Sequence, residues 1–210
     1  TPPATTASVE GILGVEGWYV APVTVELRGA DAASGVASIS FRVDAGEVRM
    51  YADPFEIRGD GLHTVAFFGT DVAGNVEDVQ PLLVLIDTGP PLIQILQPTP
   101  GAYLGHSAVT LTWSVTDAGA GVAGCAVQLD GGPSTPVPEE ATHTFSDVED
   151  GAHQASVSCS DRVDRVAEVA VSFTVDTNPL SLTGPFGPTV VMGIAGLVIL
   201  VVALLLRRRK

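Results

Sequence analysis

The sequence predicts an all-β protein of two tandem antiparallel β-sandwich domains followed by a single transmembrane α-helix. Three observations carry this expectation. Before Thr189 apolar residues recur with a period of two, a unit of about 88 residues occurs twice, and Thr189 to Leu206 contains no charged residue. The same division explains a composition that is contradictory as an average, 210 residues with net charge −14 but a mean hydropathy above zero. Arg207, Arg208, Arg209 and Lys210 hold four of the ten positive charges, so the chain before them sets 24 acids against six arginines, a balance of −18. That balance excludes a nucleic-acid binder, which needs cations to neutralise phosphate. The strand periodicity excludes a disordered acidic tail. Thr1 in place of an initiator Met predicts a fragment or a processed chain, with any signal peptide upstream.

Taken in order, residues 1–9 read as a linker that begins Thr1-Pro2-Pro3-Ala4-Thr5-Thr6. The first sandwich is expected over 10–88, with strands near 23–28, 36–43, 48–51, 55–57, 62–70 and 82–87. Ile39, Phe41 and Val43 alternate with Ser40 and Arg42, and His63, Val65 and Phe67 alternate with Thr64, Ala66 and Phe68, as strands with one buried face require. Gly29-Ala30-Asp31, Ser34-Gly35, Asp44-Ala45-Gly46, Asp60-Gly61 and Ala73-Gly74-Asn75 supply the turns between runs. The second sandwich is expected over 89–179, with strands near 92–96, 109–115, 122–129, 142–145, 153–160 and 168–176. It repeats the first. Val23-Thr24-Val25 aligns with Val109-Thr110-Leu111, Asp31 with Asp117 and Asp44 with Asp130 at an offset of 86; Asp60-Gly61-Leu62-His63 aligns with Asp150-Gly151-Ala152-His153 at 90, and Asp87 with Asp176 at 89. The change of offset places extra residues in 131–140, which read as a loop. Roughly seven short strands in about 85 residues, punctuated by turns, is the pattern of an antiparallel Ig-like sandwich.

The motifs carry a resemblance. Gly17-Trp18-Tyr19, Pro22-Val23-Thr24-Val25, Asp31 with Ser34-Gly35-Val36, Tyr51 with Pro54-Phe55, Asp60-Gly61-Leu62-His63-Thr64-Val65 and Thr70-Asp71-Val72-Ala73-Gly74-Asn75-Val76-Glu77 resemble the Ig-like repeats of bacterial and archaeal secreted and cell-surface proteins. The second copy is similar but departs after Asp161, where Arg162-Val163-Asp164-Arg165 replaces the Ala-Gly-Asn turn. The resemblance implies spacer, stalk or adhesive modules and no catalytic residues.

Residues 180–187 are expected to form a juxtamembrane linker, 188–207 the transmembrane helix and 207–210 a cytoplasmic stop-transfer cluster. The 18 residues from Thr189 to Leu206 would span about 27 Å as a helix, and Phe186 to Pro188 extend them toward the hydrocarbon thickness. A single span must satisfy its own backbone, which only a helix does. Pro185 and Pro188 sit ahead of it, where a missing N–H costs nothing. The basic residues Arg207, Arg208, Arg209 and Lys210 mark the cytoplasmic side, so the rest of the chain is expected outside. An apolar span ended by a basic cluster and preceded by Gly184-Pro185-Phe186-Gly187 also resembles the sorting signals at which surface proteins are cut and reattached.

Candidate sites are few. Cys125 shares parity with Val127 and Leu129, and Cys159 with Val157 and Ala155, so both face the core. In an Ig-like order their strands are neighbours in one sheet, and a disulfide is expected in an external domain. Asp31, Asp71 and Asn75 lie in two turns that this topology brings to one end, where oxygen ligands could hold Ca²⁺ or simply cap their own turns. His63 and His153 occupy equivalent places, which points to a shared structural role rather than zinc. No nucleophile-elbow, zinc-protease or phosphate-loop motif occurs, and no enzyme activity, catalytic residue or obligate cofactor is expected. A carbohydrate face would need Trp18, Tyr19 or Tyr51 exposed. The expected function is that of a cell-surface structural or adhesion protein fragment whose Ig-like stalk displays an upstream domain. Its partners are the lipid bilayer and a cell-surface protein or glycan, not nucleic acid. The alternative is a pair of accessory modules, carbohydrate-binding ones among them, of a membrane-anchored hydrolase, which an enzyme motif upstream of Thr1 would reveal.

Overall fold

Alternating apolar side chains become strands wherever a neighbour can satisfy their backbone, and sixteen occur in the computed structural model, which describes residues 1–139 and 141–178. In the first repeat these are β1 (Ala4–Glu10), β2 (Trp18–Tyr19), β3 (Val23–Ala30), β4 (Val36–Val43), β5 (Arg49–Met50), β6 (Phe55–Ile57), β7 (Gly61–Asp71) and β8 (Gln80–Ile86). They form a three-stranded sheet, β1-β3-β6, and a five-stranded sheet, β2-β8-β7-β4-β5. Val23, Val25, Leu27 and Ile57 from the first sheet share one buried cluster with Phe41, Val65, Phe67, Val84 and Ile86 from the second. Phe41 stacks on Phe55 across that core at 4.1 Å between ring centroids, and Tyr51 meets both rings edge-on.

The second repeat comprises β9 (Leu92–Gln97), β10 (Ala102–Leu104), β11 (Val109–Thr116), β12 (Val122–Leu129), β13 (Thr135–Val137), β14 (Ala141–Phe145), β15 (Gly151–Asp161) and β16 (Val166–Val175). Its sheets, β14-β11-β9 and β10-β16-β15-β12-β13, reproduce the first repeat strand for strand. Val109, Leu111 and Trp113 face inward from β11, and Ala155, Val157, Cys159, Val171, Phe173 and Val175 from β15 and β16. In both repeats the first strand is split between the sheets, its second half pairing parallel with the last strand, as in an Ig-like sandwich. The chain divides into two compact units, one of Thr1–Ile93, Val115–Cys125 and Ser158–Ala167, the other of Gln94–Ser114, Ala126–Val157 and the chain from Glu168.

Two expectations need correction. Residues 1–9 are not a linker, because Ala4–Glu10 pair with β3 over seven positions, from Ala4 opposite Ala30 to Glu10 opposite Thr24. A carboxylate clips this strand in place: Glu77 accepts from the Thr5 N–H at 3.0 Å, the Thr5 hydroxyl at 2.6 Å and the Gly69 N–H at 3.0 Å. Position 69 has to be glycine for that seating, since a Cβ there would lie 2.8 Å from Pro3 Cγ and 2.9 Å from Thr5 Cγ2. The expected loop at 131–140 likewise contains β13, which extends the edge of its sheet. The expected juxtamembrane segment, the transmembrane helix over 188–207 and the Arg207, Arg208, Arg209 and Lys210 cluster lie outside the described residues. Among the described residues no helix is long and apolar enough to cross a membrane.

Candidate functional site

The parity of the two cysteines is realised as a bond. Cys125 on β12 and Cys159 on β15 form a disulfide, with Cα atoms 4.1 Å apart and a sequence separation of 34. It joins adjacent strands of one sheet instead of crossing the sandwich.

Each repeat carries the same histidine clip. At the end of β4, Asp44 accepts the Thr64 N–H at 2.8 Å through one oxygen, and His63 Nδ1 at 2.9 Å through the other. His63 Nε2 faces the Gly59 carbonyl at 3.1 Å. In the second repeat Asp130 bonds the Gln154 N–H and His153 Nδ1, and His153 Nε2 faces the Glu149 carbonyl at 2.8 Å. Both ring nitrogens therefore meet acceptors, and only the imidazolium can donate from both. Burial alone would lower the His63 imidazole, but the bonds to Asp44 and Gly59 outweigh it and raise its pKa. The bond to Asp130 raises His153 against a smaller desolvation penalty. Asp44 is held down by His63 and the Thr64 N–H; Asp130 is pushed up by burial, yet His153 and Gln154 bring it below the usual value. The sequence revealed the equivalence of these histidines but not their partners.

The turns holding Asp31, Asp71 and Asn75 do meet, with the Val72 N–H donating to the Gly35 carbonyl at 3.0 Å. Each aspartate takes donors from its own turn. Asp31 Oδ2 accepts the Ala33 and Gly35 N–H groups and the Ser34 hydroxyl. Asp71 Oδ1 accepts the Asn75 N–H and Oδ2 the Asn75 side-chain amide, both at 2.7 Å, and the Asn75 amide is the main reason its carboxyl lies below the ordinary range. Asp31 and Asp71 thus cap the turns that follow them, and Asn75 supplies donors to Asp71.

A different trio converges. One oxygen each from Asp87, Asp117 and Asp161 lies within 4.8 Å of those of the other two, the one such group among the described residues, and all three belong to the first compact unit. Asp87 follows β8, Asp117 follows β11 and Asp161 ends β15. Each carboxylate is anchored by backbone: Asp87 Oδ2 by the Ala120 N–H at 2.8 Å, Asp117 Oδ1 by Gly119 and Gly121, and Asp161 Oδ1 by Val163 and Arg165. The Gly119 backbone lies so close that a Cβ there would sit 2.3 Å from Asp87 Cγ. Asp87 and Asp161 are 0% and 1% exposed, and Asp87 Oδ1 and Asp161 Oδ2 have no hydrogen-bond partner. Burial pushes the Asp87 carboxyl up, the Ala120 N–H partly opposes this, and the charges of Asp117, Asp161 and Asp60 push it further. Among the described residues no basic side chain forms an ion pair with any of the three.

The first repeat explains why an oxygen is left over. Asp161 corresponds to Asp71, but Arg165 stands where Asn75 stands, and its guanidinium donates to the Val20 carbonyl at 2.7 Å. Asp161 Oδ2 thereby loses the amide that Asp71 Oδ2 keeps. The departure after Asp161 is visible in the sequence; the orphaned oxygen it creates is not. As for a glycan face, Tyr51 packs on Phe41 and Phe55, and Trp18 and Tyr19 are half-buried in β2.

No protein family matches the sequence, and no curated protein does. Solved structures similar to the chain include the D00-D0 domain of intimin, 14% identical over 80% of this chain and 100% of that one with a TM-score of 0.45. The IG1+IG2 pair of DIP-gamma is 14% identical over 85% of this chain and 99% of that one, TM-score 0.46. The fibronectin(III)-like modules of Clostridium thermocellum CbhA are 14% identical over 81% and 94%, TM-score 0.37. The Ig-like assignment rests on the chain's own strand order and register.

Proposed function

We propose that the protein is a load-bearing stalk at a cell surface, anchored through 188–207, whose Ig-like modules hold an upstream segment away from the membrane. The observation that carries this reading is the parallel pairing of first and last strands in each sandwich. Trp18 and Tyr19 pair with Leu85 and Ile86, and Ala102, Tyr103 and Leu104 with Phe173, Thr174 and Val175. The Asp87 N–H to Tyr19 carbonyl bond at 2.8 Å and the Asp176 N–H to Leu104 carbonyl bond at 2.9 Å extend these ladders. Tension on the chain pulls two parallel strands in opposite directions along their common axis, so the bonds are loaded together in shear rather than opened one at a time. The disulfide supports an oxidising location and adds a covalent tie between β12 and β15.

Lys210 is the single lysine of the chain, which makes the topology directly testable. On intact cells an antibody to residues 1–178 is expected to bind, while a membrane-impermeant amine reagent modifies Lys210 only after permeabilisation. Lys210 labelling on intact cells, or antibody binding only after permeabilisation, overturns the reading.

A further inference from the structure

We propose that Asp87, Asp117 and Asp161 bind one hard divalent cation, calcium in preference to magnesium, through the carboxylate oxygens the fold leaves free. Two buried oxygens without a donor, Asp87 Oδ1 and Asp161 Oδ2, carry the argument. A buried polar atom left unpaired is costly, and more so when charged, so such atoms point to something that satisfies them. Their arrangement names it. Oxygens bound to one calcium ion at 2.3–2.6 Å can be no more than about 4.6–5.2 Å apart. The three carboxylates, converging within 4.8 Å, fit on one such sphere. Each is already fixed through a backbone N–H, as ligating carboxylates need to be if they are not to reorient.

The donor set fixes the class of ion. All three groups are carboxylates, and hard cations take oxygen where zinc and softer metals draw on nitrogen and sulfur. Backbone carbonyls and water would complete the six to eight oxygens of calcium. Asp117 is only partly buried, which leaves the ion a way in. Among the described residues no basic side chain forms an ion pair with the three carboxylates, and a divalent ion would neutralise their charge. The competing arrangement is a proton shared within the cluster, which would also answer part of that charge.

Calorimetric titration of the full 210-residue chain in detergent with CaCl2 and with MgCl2, at near-physiological salt, separates the two. The expected result is one calcium per chain, with a dissociation constant of about 10⁻⁴ M or tighter, weaker magnesium binding, and a melting temperature higher in CaCl2 than in EDTA. Asp117→Asn and Asp161→Asn keep a side-chain carbonyl for the backbone donors, so the turns still close, and each should weaken calcium at least ~10-fold. Arg165→Asn restores to Asp161 the amide that Asn75 gives Asp71; it should also weaken calcium while raising stability in EDTA. The proposal is overturned if calcium changes neither heat nor melting temperature and stability in EDTA instead climbs as pH falls through the carboxylate range. It is equally overturned if calcium binds all three variants as it binds the parent. Neither result depends on where in the cell the protein resides.

Discussion

Reducing the Cys125–Cys159 bond should destabilise the second sandwich by an amount that the fold itself sets. The bridge closes a loop with a sequence separation of 34. Loop-closure entropy for about 35 residues is near 13 cal/mol/K, or about 3.8 kcal/mol at 25 °C. Reduction leaves the same side chains in place, so the difference is not confounded by a cavity; Cys125 and Cys159 remain as buried thiols, 7% and 1% exposed. For a domain of about 90 residues, ~3.8 kcal/mol corresponds to a fall in melting temperature of roughly 15–30 °C. Trp113, 3% exposed, is one of only two tryptophans, and Trp18 is the other. In a Trp18→Phe background, fluorescence therefore follows the second sandwich alone. Thermal unfolding with and without a phosphine reductant, with loss of the bond checked by mass spectrometry, supplies the measurement. A fully reduced protein whose Trp113 transition moves by less than ~3 °C would refute the reasoning, since the unfolded chain would then gain no freedom from opening the loop.

Other expected outcomes follow from single contacts. The His63–Asp44 and His153–Asp130 clips should make stability depend on pH. The raised histidines contribute fully below their unfolded value of 6.5 and lose that contribution as pH rises through their folded values, while the lowered aspartates contribute above 3.8 and lose it as pH falls. The contribution is greatest between those limits, and His63→Gln with His153→Gln should flatten the alkaline decline in urea unfolding. Because Asp44 and Asp130 are 47% and 46% exposed, each clip is worth no more than about 1 kcal/mol. Glu77→Ala should cost about 1–3 kcal/mol by leaving the Thr5 and Gly69 donors unpaired, with faster hydrogen exchange in β1 before the rest of the sandwich. Phe41→Ala, which removes the ring stacked on Phe55, should cost about 3–5 kcal/mol in denaturant unfolding.

Much of the architecture was legible because it is local. The alternation of Val65 and Phe67 with Ala66 and Phe68 states which face is buried without reference to any partner, and Val65 and Phe67 are 0% and 5% exposed. The repeat offsets, 86 and 90, translate directly into two sandwiches of the same strand order. Parity likewise turned Cys125 and Cys159 to the same side. The first strand was not legible. Ala4–Glu10 has weak strand character, and what makes it a strand is the open edge of β3 and a carboxylate 72 residues away.

The sequence alone determined the period, the duplication and the aspartates' habit of capping their own turns, all short-range properties set by side-chain alternation and by bonds within four residues. Tertiary structure decided which aspartates matter together. Asp31 and Asp71 looked like the candidates, but Asn75 satisfies Asp71; Asp161, with Arg165 in that place, keeps an oxygen that no local donor reaches. Asp87 arrives from a strand 30 residues before Asp117 and 74 before Asp161. Whether a carboxylate oxygen is spent or free depends on every donor within 3 Å or so, and chain folding, not sequence spacing, assembles that neighbourhood.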